Sequence, residues 1–354
     1  MSVNCSFATF GAHMHAVDTF GPAAGGLVAD VGGTNARFGW VSPSGAHVDH
    51  VRQYPVAQNA SLAEAAQVYL REIGPAAGTS PSAPLRPARV ALALATALDG
   101  DEVRMTNSTW SFSRRELAHT LGLARTDDLV LLNDFEALAL SLPHLSSRQW
   151  SVIPGSPNPQ APAGTLAVIG PGTGLGVAGV VQTPLGWQAL PGEGGHATLA
   201  PADEFESTVL SHVRQHFSHV SAERVLSGIG LPVLHRAVGE VIGHGVSATS
   251  EAASIVEAAH AGDAWSRQTV DVFCALLGGF CGSVALTLGA RGGVYIGGGI
   301  VPRLGDLFTQ SLFRERFEAK GRFRSYLQPI ATVVITDTLA ALDGAAAAIR
   351  SSSR

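Results

Sequence analysis

Five ionisable residues and two glycine turns carry the chemistry legible in this chain. Asn133-Asp134 closes an apolar run, Leu129–Leu132. A carboxylate at the end of an α/β strand sits at a cleft edge, where it serves as a general base for a hydroxyl group. An Asp at a helix start is also a common cap, and local sequence alone favours that use. Gly192-Glu-Gly-Gly-His196 sets a carboxylate and an imidazole among glycines. Such acceptors beside exposed backbone suit sugar hydroxyls; a solvated loop is the plain alternative. Glu193 and His196 also have the spacing of a metal pair, without an evident third ligand. Ser221-Ala-Glu223 reads as a helix start, with Glu223 complementing the dipole. The fifth residue, Asp30, opens the turn Asp30-Val31-Gly32-Gly33-Thr34, and a second turn follows at Gly172-Thr173-Gly174. Glycines let backbone N–H groups approach phosphate oxygens, and threonine adds a hydroxyl donor. Asp30 beside such a turn suits magnesium, directly or through water. Each turn alone reads equally well as an ordinary hairpin; the repetition favours phosphate.

The elements that must position these residues follow from pattern. Leu27–Val31 and Arg37–Val41 read as a hairpin across Gly32-Gly33, and Arg89–Leu94 as another strand. Ser61–Glu64 and Ser113–Glu116 are capping boxes, with Gly122 a helix stop. Leu129–Leu132 is a strand, with a helix following to about Leu142. Thr165–Ile169, the second glycine turn and Val177–Gln182 repeat the first hairpin 140 residues later, from Asp30 to Gly170. Duplication of this kind implies two related α/β halves facing each other. Val177–Gln182 also disposes of a dinucleotide fingerprint at Gly174–Gly179, because that motif must open a helix and this segment is β-like. After Ala200 the chain reads helical to Gly292; Val294–Ile296 runs into Gly297-Gly298-Gly299, Thr332–Ile335 is a late strand and Asp343–Arg350 an alanine-rich helix.

Composition narrows the class. The chain has 354 residues, 46% of them hydrophobic, and a net charge of −5, which suits two folded domains and does not suit nucleic-acid binding. Lys320 is the lone lysine, and it follows alanine. A phosphate loop of the Gly-Lys-Ser/Thr type and a protein-kinase site are therefore excluded. Cys5, Cys274 and Cys281 are too few and too scattered for a disulfide framework or a zinc cluster, and a reducing, cytoplasmic setting fits. Val272–Ala290 is uncharged for 19 residues but rich in glycine, so it reads as a buried core helix and no membrane span is expected.

Seven ordered motifs resemble the bacterial glucokinase family: Asp30–Arg37, Met105–Trp110, Leu132–Phe135, Gly172–Gly176, Leu190–His196, His219–Gly228 and Gly297–Arg303. The resemblance runs from Leu27 almost to the C-terminus. It implies two actin-like ATPase (ribonuclease H-like) α/β domains around a cleft, and ATP-dependent phosphorylation of glucose at its 6-hydroxyl. It implies Asp134 as the base, with Asn107, Asn133, Glu193, His196 and Glu223 on the sugar. It puts Ala29, Asp30, Val31, Gly32, Gly33, Thr34, Gly172, Thr173 and Gly174 on the ATP phosphates, Gly298 and Gly299 near adenosine, and Asn107 with Trp110 on a loop closing over the sugar. The partners implied are glucose, ATP and magnesium without zinc, and a homodimer. Residues 1–26 match no motif and read as a loose, unstructured extension; 27–143 with 335–354 are expected to form a small domain and 144–334 a large one. Two departures stand out. Ala95-Thr-Ala97 lacks a usual proline, and the tail at Thr336–Ala348 is alanine-rich instead of glycine-rich.

Overall fold

The computed structural model describes residues 25–43, 47–74, 85–96, 98, 100–244 and 251–351. The expected extension up to residue 24, residues 75–84 and Ala97 lie outside them. Each expected strand forms, several with wider bounds: β1 Gly26–Val31, β2 Asn35–Val41, then β3 Val48–Pro55 and β4 Arg89–Leu94. A small hairpin, β5 Glu102–Arg104 with β6 Ser111–Ser113, precedes β7 Leu129–Asn133. The second half holds β8 Trp150–Val152, β9 Thr165–Pro171, β10 Leu175–Thr183, β11 Gly186–Leu190, β12 Gly293–Ile296 and β13 Thr332–Ile335. Gly176 and Gly179 of the dinucleotide-like stretch thus lie on β10, as its β-like wording requires, with Gly174 in the turn before it.

The two sheets have one plan. The first orders its strands β3-β2-β1-β4-β7 and the second β11-β10-β9-β12-β13, with β8 added at the edge. In each, two antiparallel strands lead into three parallel ones. The inferred duplication is therefore a topological repeat, β1-β2-β3 answering β9-β10-β11. Gly26 already pairs with Val41 and Arg89, and Gly25 accepts the Ala88 N–H at 2.9 Å. The first sheet thus begins before residue 27. At the other end, Ile335 pairs with Trp150 in the second sheet.

Helices α1 Leu62–Ile73 and α2 Arg114–Thr120 start where their capping serines stand: Ser61 and Ser113 accept the N–H of Glu64 and Glu116. Gly122 ends the second at φ +73°, a left-handed turn that favours glycine. α3, Asp134–Ser141, leaves β7. α4 Glu204–Arg214, α5 Leu231–Ile242, α6 Ala252–His260 and α7 Ala264–Leu288 fill the expected helical stretch. Short helices follow, α8 Ile300–Leu304, α9 Asp306–Thr309, α10 Phe313–Glu318 and α11 Arg324–Leu327, and α12 Ala340–Ser351 ends the chain.

Among the described residues α7 is the helix long and apolar enough to cross a membrane, yet 78% of its most apolar window is buried. Its glycines explain its wording. A Cβ at Gly278 or Gly282 would overlap the carbonyls of Phe313 and Phe317 in α10, so the small residues admit a close helix crossing. Both phenylalanines are fully buried there, each stabilising by ~1.5–3 kcal/mol. Cys274 and Cys281 are buried free thiols in the same core. The alanines of α12 do a similar task. The helix packs on α3 and against β1 and β4, and Gly344 lies against the Ala137 carbonyl so closely that a Cβ would overlap it.

Candidate active site

Parallel strands of an α/β sheet present ligands at their carboxyl ends, and the candidate residues collect there. In the first sheet Val31, Leu94 and Asn133 stand in register at that edge, so Asp30 and Asp134 flank it together. In the second, the pairing of β9 with β12 ends at Ile169 and Ile296, and the strands lead into Gly172–Gly174 and Gly297–Gly299.

Asp134 is the first residue of α3, and the cap is its neighbour. Asn133 has extended backbone, and its Oδ1 accepts the Phe135 N–H at 2.9 Å. Glu136 closes a reciprocal capping box by accepting the Asn133 N–H at 3.3 Å. The capping role open to Asp134 in the sequence thus belongs to Asn133, which keeps Nδ2 to donate elsewhere. Burial pushes the Asp134 carboxyl up to about 6, opposed by the Phe135 N–H and aided by the charges of Asp30 and Glu193. A carboxyl poised there matches a general base near neutral pH. Asp30 is also raised by burial, with Arg37 at 3.2 Å pulling the other way.

The residues expected on the sugar come from two loops sewn together. Glu223 and Ala222 donate backbone N–H groups to the carbonyls of Gly195 and Ala197, both at 2.8 Å. His196 stands 3.8 Å from Glu193 and 3.8 Å from Glu223. Glu223 does not start a helix; its carboxylate accepts the Leu175 N–H at 2.9 Å, and Gly174 leaves it room. The Glu223 side chain is only 25% exposed, whereas Glu193 and His196 stand open at 80% and 61%. A cavity of about 280 Å³ adjoins them, lined by Asn133, Glu136, Ala178, Pro191, Gly192 and Glu193. A crevice of about 340 Å³ between α1 and α2, lined by Leu70, Leu121 and Arg86, holds none of the candidate residues.

At the second glycine turn, Gly172 accepts the Gly228 N–H at 2.7 Å and Thr173 the Ile229 N–H at 3.3 Å, which fixes it. Gly298, at φ +76°, packs on the Pro171 carbonyl with no space for a side chain. The first turn, Gly32–Thr34, abuts the connection bearing Asn107: a Cβ on Gly33 would overlap that residue. Ala29 and Val31 are buried strand residues beneath that turn.

Trp110, in the connection between β5 and β6, is 3% exposed within the first sheet's core, and its Nε1–H donates to the Asn59 carbonyl at 3.0 Å. Asn107, three residues earlier, is exposed. Thr96, in the departure from the proline pattern, donates to the Arg104 carbonyl at 2.7 Å and sits 3.1 Å from the Thr106 hydroxyl. It ties β4 to the hairpin bearing Asn107, a role that no local signal announces.

A family model for glucokinase matches residues 27–352. The chain belongs to the glucokinase family. A glucokinase of Chromobacterium violaceum is 46% identical over 326 residues, which cover 91% of this chain and 88% of that one. The "Bifunctional protein glk" of Burkholderia pseudomallei is 46% identical over 323 residues, 91% of this chain but 48% of the relative. The chain thus spans about half the length of the bifunctional relatives it matches. Among solved structures, a glucokinase from an Antarctic psychrotroph superposes with a TM-score of 0.82 at 34% identity, over 92% of this chain and 99% of the other. The glucokinase-family chain therefore has the two-sheet actin-like ATPase fold expected from its motifs.

Proposed function

We propose that the protein transfers the γ-phosphoryl group of ATP to the 6-hydroxyl of glucose, yielding glucose 6-phosphate and ADP. The observation that carries this is Asp134: a half-buried carboxyl whose pKa desolvation raises to about 6, at the edge shared by a carboxylate–imidazole cluster and the glycine turns. The hydroxyl oxygen attacks the γ-phosphorus as the bond to the ADP oxygen breaks, and the hydroxyl proton passes to Asp134. Asn133, Glu193, His196, Glu223 and Asn107 hold and orient the sugar. The turns Gly32–Thr34 and Gly172–Gly174 donate backbone N–H groups to phosphate oxygens, and Gly298–Gly299 lies on the adenosine side. Phosphoryl transfer asks mainly for positioning and charge neutralisation, which is what such a set supplies.

Magnesium fits Asp30 through water. Arg37 holds Oδ2 of its carboxylate, leaving Oδ1 for a metal-bound water. When bound, the ion neutralises charge on the β- and γ-phosphates. The free buried thiols Cys274 and Cys281 suit a reducing cytoplasm. A coupled ADP-release assay across a panel of hexoses tests the proposal. Glucose is expected to support the highest kcat/KM, with one ADP per glucose 6-phosphate. Sugar-independent ADP release, or none with any hexose, overturns it.

A further inference from the structure

The residue after Asp134 reaches into the other sheet. Gly170 on β9 and Gly176 on β10 face each other as cross-strand partners. A Cβ on either would overlap the Phe135 ring, Gly170 at its Cζ edge and Gly176 along its Cγ–Cε2 side. Neither glycine has positive φ among the described residues, so space and not backbone freedom requires them. Together they form a slot that the ring fills, on the strands whose connecting turn is Gly172–Gly174. The other end of the same residue holds the acid. The Phe135 N–H donates to Asp134 Oδ1 at 2.9 Å and to Asn133 Oδ1 at 2.9 Å. A rigid side chain is thus seated in the β9–β10 hairpin that carries the Gly172–Gly174 turn, while its own amide orients the carboxylate.

We propose that Phe135 is a positioning residue: seated in the Gly170–Gly176 slot, it sets Asp134 against the phosphate turn. The inference rests on the reading of Asp134 as the base. Its effect falls on turnover and not on binding, because sugar and nucleotide contacts come from other residues. Misplacement by about 1 Å can cost ~10²-fold in rate.

Steady-state kinetics and thermal melts of Phe135→Leu, Gly176→Ala, Asp134→Asn and Asp134→Asn/Phe135→Leu test this, with kcat expressed per folded molecule. Phe135→Leu is expected to lower kcat about 10- to 100-fold, with both KM values within about threefold of wild type. Gly176→Ala, whose methyl must displace the ring, should do the same; it removes nothing from the core and carries the test should Phe135→Leu fail to fold. On Asp134→Asn, Phe135→Leu should cost less than about twofold further, since residues acting as a unit are not additive. A lowered melting temperature with unchanged kcat overturns the proposal, because it marks packing alone. An equal fall in kcat with and without Asp134 overturns it too, while leaving Asp134 as the base. Asp134→Asn retaining more than about a tenth of wild-type kcat removes the base itself, and the positioning role with it.

Discussion

Asp134 owes its chemistry to burial more than to neighbouring charge. Burial and the carboxylates of Asp30 and Glu193 raise it to about 6. It must be ionised to accept a proton, so kcat/KM should fall about tenfold per pH unit below that value, as a pH–rate profile can show. Replacing it with Asn should lower kcat by ~10²–10⁴-fold, since the amide keeps the shape without the basicity. Stability should move the opposite way. Below the ordinary 3.8 the carboxyl is protonated folded or unfolded. As pH rises through 3.8 toward 6, the native state pays a desolvation cost that the unfolded chain does not, so stability is lost with rising pH. Asp134→Asn removes this loss and leaves the Asn133 cap intact. The melting temperature of the variant, relative to wild type, should therefore increase between pH 4 and pH 7.5, by the equivalent of ~1–3 kcal/mol. A difference that is flat with pH would contradict the burial argument. Glu193→Gln should raise the glucose KM roughly ten- to a hundredfold, the worth of a charged acceptor, while leaving the ATP KM nearly alone. Equal effects on both substrates would move Glu193 out of the sugar pocket.

At the scale of elements, helix starts and close crossings govern where the site residues stand. The capping serines fix α1 and α2, and the Asn133–Glu136 box fixes α3 with Asp134 on its first turn. α3 then meets α12 with only Gly344 between the backbones. Gly→Ala inside a helix ordinarily stabilises by ~0.5–1 kcal/mol. At Gly344 the added methyl overlaps the Ala137 carbonyl, and overpacking costs ~1–3 kcal/mol. Gly344→Ala is therefore expected to lower the melting temperature; an increase would mean that the helices separate without cost. The same variant should lower kcat, because α3 carries Asp134.

Across the whole molecule, two sheets of one topology each contribute half of the proposed site. The first supplies Asp30, Asn107 and Asp134; the second supplies the second glycine turn, Glu193, His196 and Glu223. The chain before Gly25 adds none of these residues. Deleting residues 1–24 should leave kcat, both KM values and the melting temperature within error of wild type. Deletion through Gly26 should destabilise the protein, because it removes the Gly26 pairs with Val41 and Arg89 and the Gly25 bond to Ala88. Loss of activity on the shorter deletion, in a chain that melts normally, would assign the extension a role.

What the sequence determined by itself is what short-range physics encodes. Apolar runs ending in glycine marked β1, β9 and β12, and Ser-x-x-Glu marked α1 and α2, because strand alternation and caps act within a few residues. The repeat of strand, glycine turn and strand gave the duplication, and the ordered motifs gave the family. β3, β5, β6, β8 and β11 were not read: most are short or polar edge segments whose pairing is supplied by a neighbouring strand instead of by their own pattern. Tertiary structure alone decided that Asn133 is the cap and Asp134 the first helical residue, since the two compete for the same local role. It placed Trp110 in a core and turned Glu223 from a helix start into a partner of Leu175. It also gave Gly170 and Gly176 their reason, the Phe135 ring. The cause is common to all four: a side chain's use depends on what packs against it from distant sequence, and burial, which sets the Asp134 carboxyl near 6, exists only once both sheets are in place.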